Sequence, residues 1–146
     1  MTRIRVLFLC TGNSARSIVG ATLLQQLGGD AFEVCSAGTH PKGVNPYTVR
    51  VLESLGIDVS GERSKDVSEF AGQSFDYVIT VCDSAAEACP VFPGAPQRIH
   101  WSFPDPAAVE GTDDEKLRAF QCTAREMKTR LSTFIPVAQR SVGPRA

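Results

Sequence analysis

Ile4-Arg5-Val6-Leu7-Phe8-Leu9, closed by Cys10-Thr11-Gly12-Asn13-Ser14-Ala15-Arg16-Ser17, is the stretch on which the reading of this chain turns. The apolar run predicts a buried strand over Arg3–Cys10, and residues 17–27 predict a helix, with Ala21, Leu24 and Leu27 recurring at helical spacing before Gly28-Gly29 stops it. Cys10 to Arg16 is then the loop that leaves the first strand. Its backbone N–H groups can converge on an anion at the start of the helix, where the helix dipole adds positive potential. The same potential favours a thiolate, and hence a nucleophile, at Cys10. Gly12 relaxes a tight turn and Asn13 tolerates left-handed backbone. Arg16 can return around the loop to hold two anion oxygens, and Ser17 can hydrogen-bond the Cys10 sulfur. No Gly-Lys-Ser/Thr follows, which excludes a Walker phosphate loop.

Outward from this stretch the pattern alternates. Phe32–Ala37 predicts a second strand, and Pro46 opens a helix of about ten residues carrying Val49, Leu52 and Leu55 before Gly56. Asp76–Val81 reads as a parallel strand and Arg98–Trp101 as a shorter one, with Pro90, Pro93 and Pro96 enforcing a loop between them. Leu117, Phe120, Ala124, Met127, Leu131 and Phe134 form one apolar stripe on a last helix that Pro136 is expected to end, leaving 137–146 as a polar, frayed tail beyond a domain of residues 1–136. The expected fold is therefore a single α/β domain, a central four-stranded parallel sheet with helices on both faces. In such a sheet, Trp101-Ser102-Phe103-Pro104-Asp105-Pro106 returns Asp105 to the edge that carries Cys10, where a carboxylic acid can protonate a leaving oxygen.

Composition narrows the partners. A chain of 146 residues with 42% hydrophobic content has enough apolar material for one core, and its net charge of -1 gives no footprint for nucleic acid or a membrane surface. The initial apolar run is too short to span a bilayer and no cleavage site follows it, so a cytosolic protein is expected. In a reducing compartment, five cysteines read as catalytic, metal-binding or buried thiols. No CxxC pair exists, and His40 and His100 have no second ligand at metal spacing, so no metal site is expected. Cys35 reads as a buried thiol and Cys122 as an exposed one.

Leu9-Cys10-Thr11-Gly12-Asn13-Ser14, Ser36-Ala37-Gly38, Gly43-Val44-Asn45-Pro46, Val81-Cys82 through Cys89-Pro90, His100-Trp101 and Asp105-Pro106-Ala107 resemble, in order and spacing, the thioredoxin-coupled arsenate reductases built on the low-molecular-weight protein tyrosine phosphatase fold. The resemblance covers nearly the whole chain. It implies an arsenic-detoxifying relay: Cys10 attacks arsenate bound by residues 11–17 (Thr11, Gly12, Asn13, Ser14, Ala15, Arg16, Ser17) with a proton from Asp105. Cys82 then attacks Cys10 and releases arsenite, and Cys89 attacks Cys82 to leave a disulfide for thioredoxin. No bound cofactor is implied, phosphate or sulfate can occupy the same loop, a weak phosphatase side activity is compatible, and a monomer is expected. Seven residues of helix span about 10.5 Å, whereas a disulfide needs Cα atoms within about 7 Å, so a helix between Cys82 and Cys89 has to unwind for that disulfide to close.

Two departures and two rivals accompany the resemblance. Potassium-binding relatives carry acidic residues where this chain has Ala21 and Lys65, although Asn13 and Ser36 agree, so the Lys65 ammonium is expected to replace the ion. Ala15 stands where relatives often have cysteine. A low-molecular-weight phosphatase would use Cys10, Arg16 and Asp105 without Cys82 and Cys89, but would want aromatic residues that Pro106-Ala107-Ala108 does not offer. An oxyanion or redox sensor is the second rival.

Overall fold

The structure, a computed structural model, describes residues 3–82, 92–94 and 96–142. Four strands form one sheet: β1 (Ile4–Cys10), β2 (Phe32–Gly38), β3 (Tyr77–Thr80) and β4 (Gln97–His100), in the order β2-β1-β3-β4 with every pairing parallel. The central place of β1 explains its unbroken apolar run: a parallel strand covered on both faces has no solvent side to make polar, and Val6 to Leu9 are fully buried. Each strand agrees with its sequence expectation to within a residue at either end.

The helices are α1 (Arg16–Gly28), α2 (Pro46–Ser54) and α3 (Asp113–Val142). Asn45 caps α2 by accepting from Tyr47 N–H at 2.9 Å, and Pro46 fills its first position, where no N–H is needed. Thr112 and Glu115 cap α3 reciprocally, Glu115 N–H donating to Thr112 Oγ1 at 3.2 Å and Thr112 N–H to Glu115 Oε1 at 3.3 Å. The α3 stripe packs against α1, α2 and β1. Its Phe134 meets Phe32, Tyr77 and Trp101 edge-on or tilted, and Trp101 reaches Phe8.

Two expectations are corrected. Pro136 does not end α3; the helix runs on to Val142, so 137–142 are not a frayed tail. Proline forfeits one bond, to the Ser132 carbonyl, while the turn beyond is held by fully buried Ala138 and by Ser141 Oγ, 2.8 Å from Tyr77 Oη. Leu27 and Leu55, read at helical spacing with the apolar residues before them, are 41% and 44% exposed, and Leu55 lies just past the end of α2. In α1 the whole run Ser17–Leu24 is buried, so the helix is enclosed at its start and free at its end, which one stripe does not describe. The segment 83–91, with Cys89, the expected unwinding helix and Pro90, lies outside the described residues.

Truncation after Pro136 should cost about 2–4 kcal/mol, from the lost Ala138 packing and Tyr77 hydrogen bond. Urea unfolding measures this, and an unchanged midpoint would contradict the packing described.

Candidate active site

The sheet register builds the site. Leu9 pairs with Thr80, and Val81 N–H donates to Leu9 O at 3.0 Å, so two residues further along the parallel strands Thr11 stands across from Cys82. Thr11 Oγ1 and Cys82 Sγ are 3.2 Å apart. β1 is also where the chain order reverses, with β2 on one side and β3 on the other, the place where open α/β sheets bind ligands.

Residues 10–16 curl around a cavity of about 240 Å³ lined by Cys10, Thr11, Gly12, Ser14, Ala15, Arg16, Lys42 and Asp105. The loop is held from outside by its carbonyls. Thr39 N–H donates to Cys10 O at 3.1 Å, His40 N–H to Thr11 O at 2.8 Å, Lys42 N–H to Gly12 O at 3.0 Å and Asn45 N–H to Ser14 O at 3.0 Å. Side chains add Ser64 Oγ to Gly12 O at 2.9 Å and Thr48 Oγ1 to Ser14 O at 2.8 Å. Since C=O and N–H of a trans peptide point in opposite directions, carbonyls drawn outward leave the N–H groups of the same peptides to the inner side. α1 begins with no side-chain cap, so the donors of its first turn are also left for a ligand.

Asn13 and Ser17 are fully buried behind this cavity rather than in its wall. Asn13 sits at φ 43°, as its tolerance of left-handed backbone predicts. Its Oδ1 accepts from Lys65 N–H at 2.7 Å, which turns its amide nitrogen to Ser17 Oγ at 2.8 Å and Ser36 Oγ at 3.1 Å. Ser17 Oγ, already accepting from Asn13, has its own proton free for Cys10 Sγ, 2.8 Å away. A single donor thus remains, aimed at the sulfur. Gly38 makes room for the loop: a Cβ there would lie 2.5 Å from Thr11 O and 2.8 Å from Asn13 N.

Asp105 returns to the edge that carries Cys10, as the sequence predicts, and its Oδ2 stands 3.9 Å from Arg16 Nη2. Arg16 Nη1 donates to Phe103 O at 3.0 Å, so the guanidinium also fastens the loop that carries the acid. Asp105 Oδ1 accepts from Ala107 N–H at 3.0 Å and caps a short helical turn, Pro106–Ala108. The role read for Gly12 changes: it has no positive φ, and what needs its missing side chain is the Lys42 stem lying against it. Lys42, Thr48 and Ser64 were not legible as site residues, since their contacts depend on where two distant loops return.

A second cavity, of about 490 Å³, lies behind the loop, with Ala21, Cys35, Ser36, Glu62 and Lys65 among its walls. Cys35 is therefore half-buried against a cavity rather than a core thiol; burial pushes its thiol up, opposed by the Arg5 charge. Lys65 Nζ donates to Arg63 O at 2.9 Å and stands 4.0 Å from Glu62. Burial pushes this ammonium down and the Glu62 charge opposes that. An ammonium already in the cavity and a methyl at Ala21 do not fit a potassium site. Among the described residues no group of three His, Cys, Asp or Glu could hold a metal, and no helix is long and apolar enough to cross a membrane.

Exchanging sodium for potassium at equal ionic strength should leave the thermal midpoint unchanged, because an ion selective for the native state would raise it; a rise with potassium alone would contradict the substitution of cation by Lys65. Asn13→Ala should lose about 2–4 kcal/mol in chemical denaturation, and Asn13→Gly about 1 kcal/mol less because it carries no left-handed strain. Equal losses would show that the backbone at 13 is not strained.

The comparisons with known proteins fit this geometry. The family described as low molecular weight phosphotyrosine protein phosphatase matches residues 5–142. An arsenate reductase of Halalkalibacterium halodurans is 41% identical over 129 residues, 88% of this chain and 93% of the relative. A solved structure of an arsenate reductase in the phosphate binding state superposes with a TM-score of 0.74 at 27% identity, over 93% of this chain and 99% of the other. The thioredoxin-dependent arsenate reductase of Corynebacterium glutamicum gives 0.75 at 25% identity, over 97% of this chain and 64% of the other. A cysteine loop steered by its carbonyls, an arginine and an aspartate across the cavity, and a match over nearly the whole length place this chain in the low molecular weight phosphotyrosine protein phosphatase family.

Proposed function

We propose that this protein reduces arsenate to arsenite through Cys10, Cys82 and Cys89, with thioredoxin restoring the thiols. The observation that carries the reading is Cys82, buried and held 3.2 Å from Thr11 Oγ1 in the very loop that presents Cys10. Hydrolysis of a phosphate ester needs no thiol there; a redox relay does. The arsenate reductases among the relatives and the thioredoxin-dependent one among the solved structures support the same reading.

Arsenate enters the cavity, where inward N–H groups and Arg16 offset its charge. Cys10 sulfur attacks arsenic, and an arsenate oxygen leaves as water after protonation by Asp105, which faces the cavity. Cys82 thiolate then attacks Cys10 Sγ. The S–As bonding pair departs with arsenic, which falls from As(V) to As(III) while the two sulfurs are oxidised to the Cys10–Cys82 disulfide. Cys89 attacks Cys82, returning Cys10 as a thiolate, and the Cys82–Cys89 disulfide passes to thioredoxin. The chemistry is carried by protein thiols without a bound cofactor, and a reducing, cytoplasmic setting suits it.

The phosphatase alternative is disfavoured by the cavity wall, in which no described residue is aromatic and none can grip a tyrosyl ring. Arsenate-dependent oxidation of NADPH in the presence of thioredoxin and its reductase is the direct assay. Cys82→Ser should lower the rate by roughly three orders of magnitude or more while sparing slow aryl phosphate hydrolysis, which uses Cys10, Arg16 and Asp105 alone. Undiminished reduction in that variant would refute the relay.

A further inference from the structure

We infer that Lys42 is a specificity-determining residue, a second cation at the mouth of the anion cavity that makes the site select doubly charged tetrahedral oxyanions. The inference rests on the reading of that cavity as an oxyanion site and adds a residue that the sequence motif does not contain.

Lys42 is tied to the loop through its backbone, and its stem lies over Gly12. Its N–H donates to Gly12 O at 3.0 Å, and its side chain lies so close over Gly12 that a methyl group there would come within 2.7 Å of Lys42 Cε, 3.0 Å of Cγ and 3.1 Å of Cδ. The side chain lines the cavity together with Cys10 and Arg16. Its ammonium is in no ion pair or side-chain hydrogen bond among the described residues, unlike the cations of Arg5, Arg16, Arg50, Arg63 and Lys65. Lys42 is exposed, and its ammonium can swing without breaking a hydrogen bond.

The charges around the cavity show what this free cation is for. Arg16 stands 3.9 Å from Asp105 and donates to Phe103 O at 3.0 Å, so part of its donor fork is already engaged. A monoanion is satisfied by the inward N–H groups and what remains of Arg16. A dianion brings one more charge, and Lys42 is the cation with none to offset. Arsenate and phosphate are mixtures of monoanion and dianion near neutral pH, so a residue that prefers the dianion sets both the affinity and its pH dependence.

The competing view is that Lys42 merely covers Gly12 with its methylene stem, as long cationic side chains often do. Lys42→Met keeps that cover and removes the charge; Lys42→Arg keeps both. Sulfate and perchlorate are tetrahedral probes of charge two and one that undergo no redox chemistry in this site. Calorimetric binding to the reduced protein should show sulfate affinity about tenfold lower in Lys42→Met, perchlorate little changed, and sulfate affinity recovered in Lys42→Arg. In turnover, Lys42→Met should raise KM for arsenate by a similar factor with kcat little altered, because the ammonium meets substrate and transition state alike. An unchanged sulfate-to-perchlorate ratio in Lys42→Met would overturn the inference while leaving arsenate reduction by the wild-type protein intact. Failure of the wild-type protein to bind sulfate at all would overturn the oxyanion reading and this inference together.

Discussion

The parallel pairing of β1 with β3 is the constraint on which the site depends. With Leu9 opposite Thr80, Cys10 leaves the sheet beside Val81, and Thr11 meets Cys82 at the next step. Side chains alternate faces along a strand, so a slip of one residue would send Cys82 to the opposite face. Val6 to Leu9 and Val78 to Ile79 are fully buried on both faces, so the register is held by the fit of side chains of different size on each face. Core packing and chemistry are therefore one specification: the residues that hold the strands in place also bring the two sulfurs to one loop.

The loop adds a second, local specification. A bare cradle of N–H groups would be unstable without partners, and here each side of the loop is assigned a different partner. Carbonyls face outward to Thr39, His40, Lys42, Asn45, Thr48 and Ser64, whereas the inner donors are left to the ligand. Asn13 adopts left-handed backbone at a cost of about 1–2 kcal/mol, offset by three hydrogen bonds in a buried setting. The result is preorganisation: the donors need not reorient when negative charge arrives.

Much of this was legible because local chemistry determined it. Cys10 at the end of an apolar run, Asn13 for left-handed backbone, Ser17 in the first turn of the helix that follows the loop and Asp105 in a proline-bounded turn all lie where strand, loop and helix signals place them. What was not legible depends on tertiary return. Nothing in the sequence orders β3 beside β1, and nothing near Lys42 or Ser64 marks them as neighbours of Gly12. Pro136 misleads for a related reason: its helix-breaking cost is local, whereas Ala138 and the Tyr77 contact that outweigh it come from packing onto the sheet. Leu27 misleads oppositely, because helical spacing does not say where a helix emerges from the core.

In the proposed relay Cys10 and Cys82 act on one another. Mixing fully reduced Cys89→Ser protein with arsenate, in the absence of thioredoxin, and mapping its disulfides by peptide mass spectrometry tests this in a single turnover. One arsenite released per chain is expected, with a Cys10–Cys82 disulfide accumulating in equal amount. Arsenite released with Cys82 still reduced, or a disulfide through Cys35 or Cys122 instead, would contradict it.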